Sequence, residues 1–141
     1  MSQINGVVKG VVTNVNDPEQ KGRLKVRFQS LEGQHETDWI QIATIGAKHS
    51  GSFFAPEIDD EVLIAFDGGD TRSPYVIGSL WNRRNKPPVR NEGPLVIEDA
   101  YGNTISMSNG KIVIKSPGIV EIKASMITIN GRVVAPNANP I

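Results

Sequence analysis

The amino-acid sequence predicts an all-β protein in two parts, a small N-terminal barrel followed by a C-terminal β-helical ribbon. Short alternations of apolar and polar residues, separated by turn residues, fill the first part. A basic stretch with three prolines follows, and an apolar repeat of seven to eight residues lies beyond it. These patterns favour strands over helices throughout.

Five short strands are predicted in the first part. In the second of them, Leu24, Val26 and Phe28 alternate with basic residues, which is typical of a half-buried strand. Gly68 and Gly69 tolerate the positive φ of the turn before the last strand. With one longer loop at 44–60, the set fits a Greek-key barrel such as the OB-fold better than a sandwich. The barrel is predicted over residues 1–82, with strands at 6–15, 22–28, 38–43, 61–66 and 74–81.

Residues 83–94 are predicted to be a linker. This stretch is polar and basic, and it has no apolar periodicity. Pro87 and Pro88 favour an extended backbone on either side of them.

The apolar repeat in residues 95–141 predicts a chain of short strands. A heptad coiled coil has a similar period. Pro117, the Asn-Gly pairs at 109–110 and 130–131, and the many β-branched residues oppose a helix. Each repeat is therefore interpreted as a strand that contributes two inward side chains and then turns. The two interleaved apolar series are Ile97, Ile105, Ile112, Val120, Ile127 and Met107, Ile114, Ile122, Ile129.

A single copy of this ribbon is not expected to fold alone. Ordering each residue costs about 1–2 kcal/mol of backbone entropy, and each buried large side chain returns roughly 1.5–3 kcal/mol. Three copies wound about a common axis would cover the apolar strips and the strand edges. We therefore expect an intertwined trimeric β-helical prism, with strand pairing between chains. Its predicted core residues are Ile105, Met107, Ile112, Ile114, Val120, Ile122, Ile127 and Ile129.

Composition excludes several classes of function. The net charge is zero, so there is no global attraction for nucleic acid. The absence of cysteine excludes disulfides, thiolate nucleophiles and Cys-ligated metal sites. Residues 1–10 lack the features of a signal peptide, and no run is apolar enough to span a membrane, so synthesis in the cytoplasm is expected.

Two clusters of polar residues contain side chains that could carry chemistry. His35, Glu36 and Asp38 could suggest a metal site, but their spacing matches no usual ligand set. A second cluster could suggest paired catalytic carboxylates, but it has no nucleophile or base in register. We expect this cluster to be a turn or a contact between subunits, and we predict no catalytic, cofactor or metal site. Its members are Glu57, Asp59, Asp60 and Glu61.

A basic stripe supports an alternative function. OB-folds often bind single-stranded nucleic acid with basic grooves and aromatic platforms. Few aromatic residues accompany the stripe here, so there is little surface on which bases could stack. The alternative function is nevertheless an OB-fold nucleic-acid-binding protein with an oligomerising β tail. The stripe comprises Arg23, Lys25 and Arg27, with Arg83, Arg84, Lys86 and Arg90 in the linker.

Several stretches resemble the VgrG and phage baseplate spike proteins (baseplate assembly protein V-like) of contractile injection systems. They are NDPEQKGRLKVRF at 16–28, DWIQIAT at 38–44, the long segment 53–82 and NKPP at 85–88. The resemblance implies a homotrimer in which an OB-fold domain precedes a β-helical needle. Its implied role is a structural central spike that caps the inner tube and punctures the target envelope when the sheath contracts. No active site is implied.

The resemblance also implies partners at both ends. The hub domain that precedes the OB-fold in VgrG is missing from this sequence, which implies a separate hub protein at the OB-fold end. Some phage spikes end in a His-x-His motif that holds iron, whereas Asn137-Ala138-Asn139 offers neutral amides, which are poor iron ligands. A blunt, metal-free end that receives a PAAR-repeat tip protein is therefore expected. The predicted docking residues are Pro136, Asn137, Ala138, Asn139, Pro140 and Ile141.

Overall fold

The structure, a computed structural model, describes residues 3–88 and 95–135 of the chain. Within these residues the protein is all-β, and its single helical element is a short 3-10 turn at Asp67–Gly69. The all-β prediction is therefore confirmed. The chain divides into two compact units between Lys86 and Pro87, which are described in turn.

The N-terminal unit is a five-stranded antiparallel sheet whose strands follow the order β3-β2-β1-β4-β5. Four of the five predicted strands are present close to their expected bounds. β3 was not predicted, because its sequence GQHE offers no apolar alternation. The strands are β1 Val7–Asn14, β2 Lys25–Ser30, β3 Gly33–Glu36, β4 Glu61–Phe66 and β5 Pro74–Ser79.

Residues 38–43, predicted as a strand, instead connect β2 and β5 through single bridges. Ile40 pairs with Leu24 just before β2, with N···O distances of 2.9 and 3.1 Å. Ile42 forms a parallel bridge to Val76 of β5, and the Ala43 N–H donates to the Val76 carbonyl at 2.7 Å. The segment therefore joins both sides of the sheet, as an OB-like barrel requires.

The hydrophobic core lies inside the N-terminal unit. Alternate residues of β2 and β4 supply much of it, so the period-2 pattern identified these side chains correctly. Gly10 of β1 sits where the strands approach closely, because a Cβ there would lie 2.4 Å from Val26 Cγ1 and 2.7 Å from Ile64 Cδ1. The buried apolar residues are Val12, Leu24, Val26, Phe28, Ile40, Val62, Ile64, Phe66 and Val76.

The C-terminal unit contains a three-stranded antiparallel sheet and a small hairpin. The sheet comprises β6 Leu95–Glu98, β7 Thr104–Ser108 and β8 Lys111–Lys115, and the hairpin comprises β9 Thr128–Ile129 and β10 Arg132–Val133. Both predicted Asn-Gly turns are present, with positive φ at both residues of each pair. The expectation that all pairing in this region is between chains is wrong for these strands, which pair within one chain.

One face of the β6–β8 sheet is apolar and exposed. Ile97, Ile105 and Ile114 form one row across the three strands, and Leu95, Met107 and Ile112 form the next. These six side chains, called the apolar face below, are between 39% and 65% exposed. Thr104 and Ser106 of the opposite face are buried. Every buried apolar side chain in the described residues belongs to the N-terminal unit, so the C-terminal unit has no core of its own there.

Residues 119–126, between β8 and β9, have no strand partner among the described residues. In the described part of the chain, residues 119–126 neither donate nor accept a backbone hydrogen bond. Ile119, Val120 and Ile122 are more than half exposed. The strand that the sequence predicts around Val120 therefore forms no ladder with the described residues of its own chain.

Candidate functional site

His35 and Glu36 of the proposed metal cluster lie on β3, and Asp38 follows that strand. His35 Nε2 lies 2.8 Å from Ser30 Oγ, which also accepts a hydrogen bond from the Glu32 N–H at 3.2 Å. The imidazole packs at 5.5 Å from the Phe28 ring. Nowhere in the described residues do three acidic or histidine side chains converge as a metal site would require.

The acidic cluster before β4 is a turn that anchors to β1. The Asp60 carboxylate accepts a hydrogen bond from the Glu57 N–H at 2.9 Å. The backbone of Asp59 and Asp60 exchanges hydrogen bonds with Val12, both at 2.9 Å. Glu61 lies 3.7 Å from Lys9 Nζ. These carboxylates therefore shape the entry to β4, as the turn interpretation expected.

Arg23, the first member of the basic stripe, is held by acidic residues of the β1–β2 loop. Its guanidinium donates to Asp17 at 3.0 and 2.8 Å and to Glu19 at 2.6 Å. Asp17 also accepts backbone N–H groups of residues 19, 21 and 23, and its side chain is only 3% exposed. The Arg23 hydrogen bonds lower the pKa of Asp17 far below its usual range, and the Asp17 contact raises the pKa of Arg23.

Lys25 and Arg27, the other barrel members of the stripe, lie in separate surroundings. Lys25 Nζ lies 5.3 Å from the centroid of the Trp39 ring, a cation–π contact. Arg27 is exposed and lies opposite Glu36 in the β2–β3 ladder. The barrel part of the stripe is therefore not an open cationic groove. Of the linker members, Arg83, Arg84 and Lys86 are exposed, and Arg90 lies outside the described residues.

A groove of about 700 Å³ opens in the N-terminal unit. Its walls come from the β1–β2 loop, the β2–β3 hairpin, the 38–41 segment and the turn before β5. Phe28, Trp39 and Tyr75 supply aromatic surface, and Glu32, Glu36 and Asp38 supply carboxylates. Sequence reasoning missed this groove because its walls come from segments that are far apart in the chain.

The family assignment follows from the comparison with known proteins. The profile described as the Type VI secretion system/phage-baseplate injector OB domain matches residues 8–81, just over half of the 141 residues. The chain belongs to this family. The match spans β1 to β5, so it confirms the resemblance and agrees with the OB-like barrel.

Curated relatives of this family member are named as spike proteins. The type VI secretion system spike protein VgrG5 of Pseudomonas aeruginosa is 33% identical over 87 residues, which cover 58% of this chain and 11% of that protein. VgrG2a of the same species is 35% identical over 75 residues, 50% of this chain and 9% of that protein. The spike protein of Escherichia phage P2 is 28% identical over 99 residues, 70% of this chain and 46% of that protein.

The family member is short compared with these relatives. It spans less than half of the phage P2 spike protein and about a tenth of the Pseudomonas proteins. None of the three is named as an enzyme. Within the described residues, no helix is long and apolar enough to cross a bilayer.

Proposed function

We propose that this protein is the structural central spike of a contractile injection system. In this proposal three copies associate through their C-terminal units, cap the inner tube of a phage tail-like particle and puncture the target envelope on sheath contraction. The observation that supports it most is the apolar face, which its own chain leaves uncovered.

The apolar face is unusual for a soluble monomer. Six adjacent apolar side chains on one side of a three-stranded sheet form a continuous patch, which soluble monomers rarely expose. Burying the exposed half of each side chain would stabilise an assembly by about 1 kcal/mol per residue and chain. Two further copies of the same face would provide matching apolar cover around a three-fold axis.

The backbone of the same unit also lacks partners. Residues 119–126 have no backbone hydrogen bonds within the described chain, although their sequence alternates as a strand does. β6 and β8 are the outer strands of their sheet. Intertwining with neighbouring chains would pair these groups, and this is why we propose a β-helical prism rather than a loose trimer.

The residues predicted for the trimer core have exposures that suit this proposal. Val120, Ile122 and Ile129 are each more than half exposed in one chain, and Ile127 is half-buried. The opposite face of the sheet carries Glu98 and Lys115, which we place on the outer surface of the prism. The proposed domains are the OB-fold at 1–82, the linker at 83–94 and the spike and tip at 95–141.

The proposed mechanism is mechanical stiffness. A closed prism has no free strand edge, so bending it would break ladders in three chains at once. This role needs no active site. A separate hub protein at the OB-fold end and a PAAR-repeat tip protein at the C-terminal end complete the proposal. The tip residues 136–141 and residues 89–94 of the linker lie outside the described residues.

The mass of the full chain in solution tests this function. Sedimentation equilibrium is expected to give three times the chain mass of 15.3 kDa, with no dissociation on dilution to low micromolar concentration. A well-folded monomer at these concentrations would refute the spike.

A further inference from the structure

The chain forms a turn where it leaves the sheet of the N-terminal unit. Beyond β5, the Asn82 N–H donates to the Asn85 carbonyl at 2.9 Å. The side-chain oxygen Oδ1 of Asn82 accepts the N–H groups of Arg84 and Asn85 at 3.0 and 2.8 Å. An asparagine that binds the backbone just after it in this way stabilises a turn locally. The start of the predicted linker is therefore held by Asn82.

The same side chain attaches this turn to the sheet. Asn82 Nδ2 donates to Glu61 Oε2 at 3.3 Å, and the Leu80 N–H donates to the Glu61 carbonyl at 2.8 Å. Glu61 begins β4, pairs with Val11 of β1 and lies 3.7 Å from Lys9 Nζ. Because β1 and β4 are inner strands of the sheet, Asn82 connects the turn to the most firmly paired part of the unit.

Asn82 uses most of its hydrogen-bonding capacity in this arrangement. Its carbonyl oxygen accepts two hydrogen bonds and its amide nitrogen donates one, so a single orientation of the amide satisfies all three contacts. Asn82 is half-buried, whereas residues 83–86 are exposed. Asn85 takes part through its backbone, and its side chain forms no hydrogen bond with the described residues. Of the two asparagines in the turn, Asn82 is therefore the one whose side chain holds it.

The basic side chains of the turn add little to its stability. In the part of the chain that the structure describes, Arg83, Arg84 and Lys86 form no ion pair. Exposed polar stretches of this kind open readily and are common sites of proteolytic cleavage. Without the contacts of Asn82, residues 83–86 would have the properties of an ordinary linker.

We propose that Asn82 is a positioning residue that fixes the exit of the chain from the N-terminal unit. The connection to the C-terminal unit then begins after Lys86, where the compact N-terminal unit ends, and continues with Pro87 and Pro88, whose φ angles are restricted. This inference rests on the proposed function for its role, because a spike driven by sheath contraction must pass load along this connection. A hinge at residues 83–86 would dissipate that load, and Asn82 removes it.

Limited trypsin digestion of the full chain tests this role. Trypsin cleaves after arginine and lysine but not before proline, so the bonds after Arg83 and Arg84 report on the turn, whereas the Lys86–Pro87 bond resists cleavage. Asn82→Ala removes three hydrogen bonds. Mass spectrometry of the early products should show cleavage at the reporter bonds about tenfold faster or more, because cleavage follows the population of the open turn.

Asn85→Ala is the matched control for the digestion. It removes the same kind of side chain from the same turn and should change the cleavage rate less than about twofold. An Asn82→Ala chain that is cleaved at the wild-type rate, or equal acceleration in both variants, would overturn the proposal.

Hydrogen exchange separates the loss of these contacts from a general loss of structure. In Asn82→Ala the amides of Arg84 and Asn85 should exchange about tenfold faster, while the amides of β4 keep their wild-type rates. Asn82→Asp/Glu61→Gln exchanges the donor and the acceptor of the side-chain contact and retains an oxygen for both turn N–H groups. This double variant should restore protection to within about twofold of wild type. Faster exchange throughout β4, or no rescue by the double variant, would refute the assignment to Asn82.

Light scattering on the same samples separates this inference from the proposed function. A trimer whose turn is cleaved equally fast in wild type and Asn82→Ala keeps the spike and refutes the positioning role. A monomer in which Asn82→Ala accelerates cleavage and Asn85→Ala does not refutes the trimer and keeps Asn82 as the residue that fixes the exit.

Discussion

Replacing Ile114 with aspartate tests whether the apolar face is buried between copies, as the proposed trimer requires. Ile114 is 62% exposed in one chain and sits at the outer end of the row shared with Ile97 and Ile105. Completing its burial contributes roughly 1–2 kcal/mol per chain, so about 3–6 kcal/mol per trimer is lost with the side chains. Placing three carboxylates at one level of an apolar core costs several kcal/mol more for each charge.

Together these terms exceed about 10 kcal/mol per trimer, which is enough to dissociate most assemblies at micromolar concentration. Lys111→Asp is the matched control. Lys111 is on the same strand, but it is exposed and belongs to the opposite face, where it pairs with Ser108. Sedimentation equilibrium should show that Ile114→Asp is monomeric or aggregated while Lys111→Asp retains the trimer. An intact Ile114→Asp trimer, or equal damage by both changes, would refute the reasoning.

Four further predictions concern the barrel, the loop, the fragments and the tip. Gly10→Ala should lower the free energy of unfolding in urea by about 1–3 kcal/mol, because its Cβ would overlap two core side chains, whereas Gly78→Ala, with open space around it, should be nearly neutral. Asp17→Asn should lower the melting temperature at neutral pH. The wild-type protein should lose part of its free energy of unfolding as pH falls below about 4, because ionised Asp17, with its lowered pKa, stabilises the folded state above that range. This part of the acid-induced loss should be absent from Asp17→Asn. A fragment ending near Asn82 should stay folded in circular dichroism with weaker association, and segment 93–141 should trimerise slowly; a stable monomer of that segment would contradict the prism. Metal analysis of the trimer should find no stoichiometric iron, with a PAAR protein co-purifying; one iron per three chains would show that the spike carries its own metal tip.

Much of the barrel could be predicted because apolar and polar residues alternate regularly along its strands. Burial of Val62, Ile64 and Phe66 on β4 follows directly from their period of two. β3 escaped prediction because an edge strand needs only backbone pairing to β2, and none of its residues is apolar. Residues 38–43 also alternate between apolar and polar side chains. They form single bridges to Leu24 and to Val76 rather than a regular ladder.

The ion-pair partners of the charged residues could not be predicted from their spacing in the sequence. Arg23 alternates with Leu24 as a solvated residue would, but the loop folds back and places Asp17 within 2.8 Å of it. The groove likewise depends on tertiary proximity, since Trp39 and Tyr75 belong to different segments. In the C-terminal unit the apolar residues of β6 to β8 share one face, as alternation predicts, whereas their pairing within one chain was not predicted, because a short repeat is compatible with pairing inside or between chains.

The Asn109-Gly110 turn has a consequence for the order in which copies come together. Because it joins β7 to β8 locally, each chain can close this hairpin on the microsecond timescale before it meets another copy. In the proposed trimer, three preformed sheets would then need only a slow, concentration-dependent encounter, and residues 119–126 could pair after that encounter has brought the chains into register. Assembly would then proceed from the barrel side toward the C-terminus, so a nascent needle would not expose its longest unpaired backbone until partners are already in place.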